Sequence, residues 1–566
     1  MDYRWRLLSP DADEVSALTR ELGLSRLLAA LLVNRGLIDP QEVYDFLNPR
    51  FEDLHDPYLM KGMAETVARL VSAIERGEKI LVHGDYDVDG ITSTVVLKRA
   101  LEMLGGRVDY HIPHRLDDGY GIKGEVLERA AREGVGLVIS VDCGIRDFEA
   151  ADLARELGLD LIVTDHHLPG DVLPRAAIIL NPRQPGCAYP DKNLAAVGVV
   201  LKIVQALFER SGRSSLVPHF LKVAAIGTVA DMVPLTGENR IIVKLGLSAL
   251  SETYNVGLQA LLTGAGIDGS VNHIDVSFRL APRINAFTRM GGGQEIVDLF
   301  SVRDPAEAAA IVQDMNRKNV ARRLEEDRIL AEIDGQGEPF GDVEAGFIVI
   351  GGRDWHRGVL GNVASRIVQR YHRPTLILSL GEQGGQGSGR SIPGFHLLKA
   401  LEHAASYFER FGGHAQAVGC TLKREYCNAE GLEELRRVLG EYAAPRLSNE
   451  MLEPELLIDY NVPVDMLSTG MCSDLERLAP YGVGNPVPVF ASSDLVIAGG
   501  PWILKDKHLK FSARANGTPL DVIWWRNGQV AAGLGVGQAI QVAYTLGRET
   551  FRGEERLVLT VKDLRA

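Results

Sequence analysis

Cysteine is scarce. Only Cys143, Cys187, Cys420, Cys427 and Cys472 occur in 566 residues, and none forms a CxxC pair. That spacing excludes a zinc ribbon and a disulfide framework and fits a reducing compartment. No run approaches the ~18 consecutive apolar residues of a membrane-spanning helix. The opening stretch MDYRWRLLSPDADEV lacks the apolar core of a secretory signal, so a cytoplasmic protein is expected. Positive charge is not in excess either: the net charge is −14. This argues against a nucleic-acid coat protein. It leaves open an enzyme that meets phosphates through metal ions and a local basic groove. The chain shows no internal repeat or low-complexity tract, and no coiled-coil heptad, so a monomer is expected.

What is present reads as an ordinary globular composition, 46% hydrophobic and 24% charged. The length calls for about three or four domains. Residues 1–55 read as short helices. From about residue 78, apolar strand-like runs (KILVHG, RVDYHIPHR, VGLVISVDCG, LDLIVTDHH) alternate with amphipathic helices, the pattern of a parallel sheet covered on both faces. Residues 194–260 are mostly helical. The stretch from Ser301 to Asp334 predicts one long helix, with Asp304 as N-cap and Pro305 at the first helical position. A second α/β unit follows from about residue 336. Beyond about 440, short β-rich runs with Gly, Pro and Asn turns predict a small β-barrel.

The segment HGDYDVDG places Asp85, Asp87 and Asp89 at alternate positions behind an apolar strand. An EF-hand loop also begins D-x-D-x-D-G, but its twelfth position, counted from Asp85, is Val96 rather than a bidentate Glu. Ligands of parallel α/β sheets bind beyond the carboxyl ends of the strands. Three such ends carry chemistry: Asp85 to Asp89 with His83, Asp142 in VDCG, and Asp165, His166 and His167 in TDHH. Asp231 in VADMVPL is a fourth candidate. Singly, each is as readily a cap or turn residue. Together, carboxylates and imidazoles without thiolates point to Mn²⁺ or Mg²⁺. Two such ions, roughly 3.5–4 Å apart and sharing a carboxylate, suit phosphoryl transfer.

In their order and spacing, HGDYDVDG, VDCG, DHH and VADMVPL resemble the DHH phosphoesterase superfamily. GSGRSIPGFHLLKAL and RFGGHAQAVG resemble its associated second domain. LNPRFEDLHDPYLM, SFRLAPRINAFTR and LAPYGVGNPVPVF narrow the resemblance to the bacterial single-strand-specific 5′→3′ DNA exonucleases of that superfamily. The resemblance implies an α/β multidomain fold, divided as follows. A helical segment occupies 1–55 and a parallel-sheet catalytic domain 56–260. A connecting region with the long helix spans 261–335, a second α/β substrate-binding domain 336–440, and an OB-fold-like barrel 441–566.

It further implies two divalent ions, Mn²⁺ or Mg²⁺. His83, Asp87 and Asp142 would hold one, and Asp89, Asp142, His166 and Asp231 the other. Asp85 and Asp165 would lie beside the ligands, and His167 would face the scissile phosphate. Arg115 and Arg289 would bind substrate phosphate, with Gly412, Gly413 and His414 in the opposing wall. The family pattern has Gly where this chain has Thr288, which puts the placement of Arg289 in question. The implied substrate is single-stranded DNA with a free 5′ end, in recombination and repair. The implied partners are a single-strand-binding protein and a RecQ-type helicase. Two rivals stand beside this reading: a phosphodiesterase for oligoribonucleotides or cyclic dinucleotides, and an inactive replication scaffold. Arg317, Lys318, Arg322 and Arg323 either line a strand track or form a solvated helix face. Trp502, Phe511, Trp524 and Trp525 are either stacking platforms or core.

Overall fold

The computed structural model describes residues 3–114, 119, 121–289, 292–335, 346–505, 507–515, 518–551 and 554–565. The first α/β unit is built on a five-stranded, all-parallel sheet. Its order is Arg107–His111, Lys79–Gly84, Val135–Val141, Asp160–Thr164, Ile178–Leu180. The chain leaves Lys79–Gly84 for one edge and returns on its other side. The order therefore reverses at that strand, and a crevice opens beyond its carboxyl end. Within the strand, Ile80 and Val82 are fully buried. The helices Val88–Met103 and Ala196–Arg210 cover one face, Leu221–Ala230 packs on them, and the apolar side chains of all three join the largest core.

The helix Pro305–Gly335 spans 31 residues, or about 46 Å. Asp304 caps it: its carboxylate accepts the Ala306 N–H at 3.0 Å. Ala308, Val312 and Met315 pack into the first unit's core, whereas Ile329 and Ile333 pack into that of the second. One rigid element thus enters both cores. The second unit has a mixed five-stranded sheet, in the order Phe408–Gly413, Ala417–Leu422, Gly384–Arg390, Thr375–Gly381, Ile348–Arg353. The last sheet closes on itself, because Phe490–Leu504 pairs with both His508–Ala515 and Ala539–Phe551. Of the tail aromatics, Phe511 is fully buried in this barrel and Trp524 packs against its core, while Trp502 and Trp525 remain about half exposed. No helix among the described residues is long and apolar enough to cross a membrane.

The N-terminal helices do not join the unit that follows them in sequence. Val15, Leu28, Leu32 and Val43 share one core with the barrel residues Phe490, Phe511 and Val542. Arg4–Leu7 pairs in parallel with Glu455–Ile458. Trp5 Nε1 donates to Asp563 at 2.7 Å. Arg240, in the helix Gly237–Ser251, joins these parts to the first unit. Its guanidinium stacks 3.6 Å above the Phe46 ring and donates to the carbonyls of Phe46 and Ala479.

A second buried node lies at His55. Lys202 Nζ donates to Glu238 at 2.9 Å and to the His55 carbonyl at 2.6 Å, and Glu238 also accepts from Tyr189. Lys202 and Glu238 are essentially excluded from water. Removing one partner of such a pair leaves a charge buried alone. Lys202→Met is expected to destabilise the first unit by about 3–5 kcal/mol. Tyr189→Phe, which deletes only a hydroxyl, should cost about 1–3 kcal/mol. The midpoint of the first unit's urea transition, followed by circular dichroism, measures both.

Candidate metal centre and phosphate cleft

The aspartate-rich loop runs from the end of Lys79–Gly84 into the helix Val88–Met103. Asp87 is the N-cap: one carboxylate oxygen accepts from Asp89 N (2.9 Å) and Gly90 N (3.1 Å), which leaves the other for a ligand. Gly90 is required for a steric reason. A Cβ there would lie 2.5–2.7 Å from the backbone of Asp85, so the loop folds back onto the helix only over a glycine. Asp89 is buried, and both its oxygens are held by the start of another helix. They accept from Ala196 N at 2.7 Å and Val197 N at 2.9 Å. The positive end of that helix dipole offsets part of the cost of a buried carboxylate.

Asp142 follows the strand Val135–Val141 with φ +65°, a left-handed conformation that Asp tolerates at some strain. Its N–H donates to Thr164 O at 3.0 Å. From the next strand end, Asp165 orders both histidines. Its Oδ1 accepts from His166 N (2.7 Å), His167 N (3.1 Å) and His167 Nδ1 (2.8 Å), and Oδ2 accepts from Ile145 N. Burial pushes the Asp165 carboxyl up, but the His167 hydrogen bond and charge hold it below the ordinary range. Burial likewise opposes charge on His167, and its bond to Asp165 outweighs this and raises the imidazole above its ordinary value. Asp231 terminates the helix Leu221–Ala230 as its C-cap, not the start of a helix.

These elements bring together three groups whose ligand atoms lie within 4.8 Å of one another: Asp142, His166 and His167; Asp89, His166 and Asp231; Asp85, Asp87 and Asp142. Asp142 and His166 each belong to two groups. Asp85 therefore sits among the candidate ligands rather than beside them. His83 falls outside these groups; its Nδ1 lies 3.9 Å from Cys143 Sγ.

The donor set fits divalent cations. His166 Nδ1 sits 3.1 Å from the Leu194 carbonyl, an acceptor, so the proton is on Nδ1 and the lone pair on Nε2. Nε2 lies 3.3 Å from Asp142 Oδ1 and 3.7 Å from Asp231 Oδ2. A lone pair aimed between two ionised carboxylates is repulsive unless a cation or a proton occupies the space. Burial, and then the His167 charge, lower His166 to about 4, so it stays neutral and able to ligate. Burial, and then neighbouring carboxylates, push Asp89 and Asp142 well above the ordinary range and Asp231 to about 7. Oxygen and imidazole donors suit Mn²⁺ or Mg²⁺.

Opposite the cluster, a cleft of about 470 Å³ is lined by Arg289, Arg357, Arg390 and Arg410, with Ser388 and Gly412. Thr288 is buried within the helix Ala281–Arg289, where the backbone is helical and needs no glycine. Arg289 follows it and reaches across to donate to Gly358 O of the second unit at 2.9 Å. Gly413 and His414 lie in the strand end and turn beside Gly412 and do not line the cleft. Arg115 lies outside the described residues. Sequence reading missed Arg357, Ser388, Arg390 and Arg410. The alternation GSGR, with its polar side chains on one face of a strand, was the available signal.

The cavities continue from this cleft. Arg289 also borders a space of about 910 Å³ that reaches Ala230 and Met232 on either side of Asp231, and extends to Trp525 and Lys562 of the barrel. Arg322 links that space to a groove with Arg323, Arg366, Lys507 and Arg526. Arg317 instead pairs with Asp314 on its own helix, and Lys318 lies over the Phe287 ring.

The folded value of Asp231 exceeds its unfolded value of 3.8. Its contribution to stability is therefore complete below pH 3.8 and is lost as pH rises through about 7. Asp231→Asn is expected to melt above the wild type when both are metal-free, by a margin that grows from pH 5 to pH 8. Mn²⁺ at about 100 times its Kd should stabilise the wild type by about 2.7 kcal/mol and the variant far less. Differential scanning calorimetry with EDTA or Mn²⁺ measures both effects.

The DHH family N-terminal domain matches residues 79–228, the DHHA1 domain 344–444, and the RecJ OB domain 458–563. The chain is 36% identical over 564 residues to the single-stranded-DNA-specific exonuclease RecJ of Bacillus subtilis, covering 99% of this chain and 70% of that one. It is 31% identical to that of Escherichia coli, covering 100% of both. The crystal structure of RecJ in complex with Mn²⁺ from Thermus thermophilus superposes with a TM-score of 0.84 at 31% identity. That match covers 100% of this chain and 80% of that one. The chain belongs to the RecJ family of single-stranded-DNA-specific exonucleases.

Proposed function

We propose that this protein degrades single-stranded DNA from the 5′ end, hydrolysing one phosphodiester at a time to nucleoside 5′-monophosphates in recombination and repair. The observation that carries the proposal is that the arginine cleft reaches Tyr86, which stands between Asp85 and Asp87 of the carboxylate–imidazole cluster. Asp85, Asp87 and Asp142, with His83 beside them, are assigned to one ion. Asp89, Asp142, His166 and Asp231 are assigned to the other. When bound, the two ions supply an activated water and neutralise charge on the phosphate.

The chain's own residues do the rest. Asp165 accepts a hydrogen bond from His167 Nδ1 and fixes the ring, and Nε2 is assigned to face the scissile phosphate. With its raised pKa, His167 is able to hold a proton there for the departing oxygen. Arg289, Arg357, Arg390 and Arg410, with Ser388, Gly412 and Arg115, are assigned to the 5′-terminal phosphate, where guanidinium forks match phosphate oxygens. Gly413 and His414 shape the turn behind Gly412. Arg322, Arg323, Arg366, Lys507 and Arg526 are assigned to the backbone of the following nucleotides, with Trp525 as a stacking surface. A monomer working with a single-strand-binding protein and a RecQ-type helicase in the cytoplasm belongs to the same proposal, on the strength of the family resemblance.

The decisive assay uses 3′-labelled single-stranded DNA with a 5′-phosphate, in Mn²⁺ or EDTA. Shortening from the 5′ end is expected, absent with EDTA, on matched duplex, and in Asp142→Ala. Cleavage of oligoribonucleotides or cyclic dinucleotides in preference to DNA would overturn the substrate assignment. His167→Ala should lower kcat about 10²–10⁴-fold with little change in KM. Arg390→Ala should mainly raise KM, and should erase any advantage of a 5′-phosphate over a 5′-hydroxyl. Steady-state kinetics on matched oligonucleotides separates the two.

A further inference from the structure

Two backbone irregularities converge on the cavity beside Asp231. Met232 has φ +62°, a conformation that a non-glycine residue adopts only at a cost, and its side chain is 71% exposed. Phe278 stands in the middle of a single π turn, Val276–Leu280, and is 69% exposed. Such turns widen the helix by one residue, distort its hydrogen-bond ladder and concentrate at functional sites. Val276 and Leu280 at the ends of the turn are fully buried, so the turn is anchored while its middle projects. Folding alone gains nothing from either arrangement, since each spends backbone strain to leave a large apolar side chain in water. Both side chains border the same cavity, together with Asn285, Arg289, Arg322 and Trp525.

That lining alternates apolar surfaces with guanidinium groups, which is the chemistry of a nucleotide: a flat base and a phosphate. Met232 is covalently next to Asp231, a candidate ligand of the metal cluster. A base held by Met232 therefore fixes where its own phosphate falls relative to that cluster. We propose that Met232 and Phe278 form a base clamp, holding the nucleobases just 3′ of the scissile phosphate and setting its register over the metal cluster. Phe278 supplies the stacking face and Met232 an adaptable thioether contact, so the clamp accepts any base. The inference rests on the single-stranded-DNA reading above and assigns that site two positioning residues.

The test pairs variants with lesions in full-length protein. One 5′-phosphorylated oligonucleotide is natural; the other carries tetrahydrofuran abasic residues at its second and third positions. Binding is read by fluorescence anisotropy in EDTA, and the first cleavage by single-turnover kinetics in Mn²⁺. On the natural strand, Phe278→Ala and Met232→Ala should each slow the first cleavage about tenfold or more. Phe278→Trp and Met232→Leu should retain most of the rate. The wild type should lose a similar factor on the abasic strand, where the alanine variants lose little further. Both side chains are largely exposed, so melting temperatures should match the wild type. Variants that cleave the natural strand at the wild-type rate, or lose the same factor on both strands, overturn the clamp. If the wild type binds with this same dependence on bases and variants but cleaves nothing, the exonuclease reading fails and the clamp stands.

Discussion

Repulsion among buried carboxylates is the constraint around which the first α/β unit is arranged. Asp85, Asp87, Asp89, Asp142 and Asp231 converge on one crevice, and three of them resist ionising there. Three of the five are nevertheless held in place by the backbone: Asp87 as a cap, Asp89 at a helix N-terminus and Asp142 at a strand end. This backbone frame holds the carboxylates at a spacing whose repulsion a divalent ion would offset.

The same scaffold decides where substrate chemistry can occur. Parallel strands end together, so side chains distant in sequence meet at one level. The long helix enters both α/β cores and holds the arginines of the second unit opposite the cluster of the first. Arg289 crosses that gap with a hydrogen bond to Gly358. Positioning is therefore a property of secondary structure rather than of loops.

Much of this was legible in the sequence because it is local. Strand-end aspartates and histidines announce themselves by an apolar run followed at once by Asp, Gly or His. The cap of the long helix sits in the dipeptide Asp304–Pro305. What escaped is non-local. Ser388 and Gly412 become neighbours only because both pair toward Gly419, on the strand between them. Phe511 and Trp525 look alike as tail aromatics; the barrel's register buries one and leaves the other half exposed. Asp85 reads as a neighbour of the ligands until the loop folds onto Gly90 and brings it among them. The left-handed turn at Met232 and the π turn at Phe278 leave no mark in periodicity.

The pairing of Arg4–Leu7 with Glu455–Ile458 has a consequence in time. Arg4 and Glu455 are 451 positions apart. At 5–20 residues per second, a ribosome needs roughly 20 to 90 seconds to travel between them. Throughout that interval Leu28, Leu32 and Val43 have no barrel to bury them. The early helices wait as an apolar surface in a crowded cell, and barrel strands made hundreds of residues later end the wait. Pausing or truncation before the barrel is made therefore strands these early helices as well.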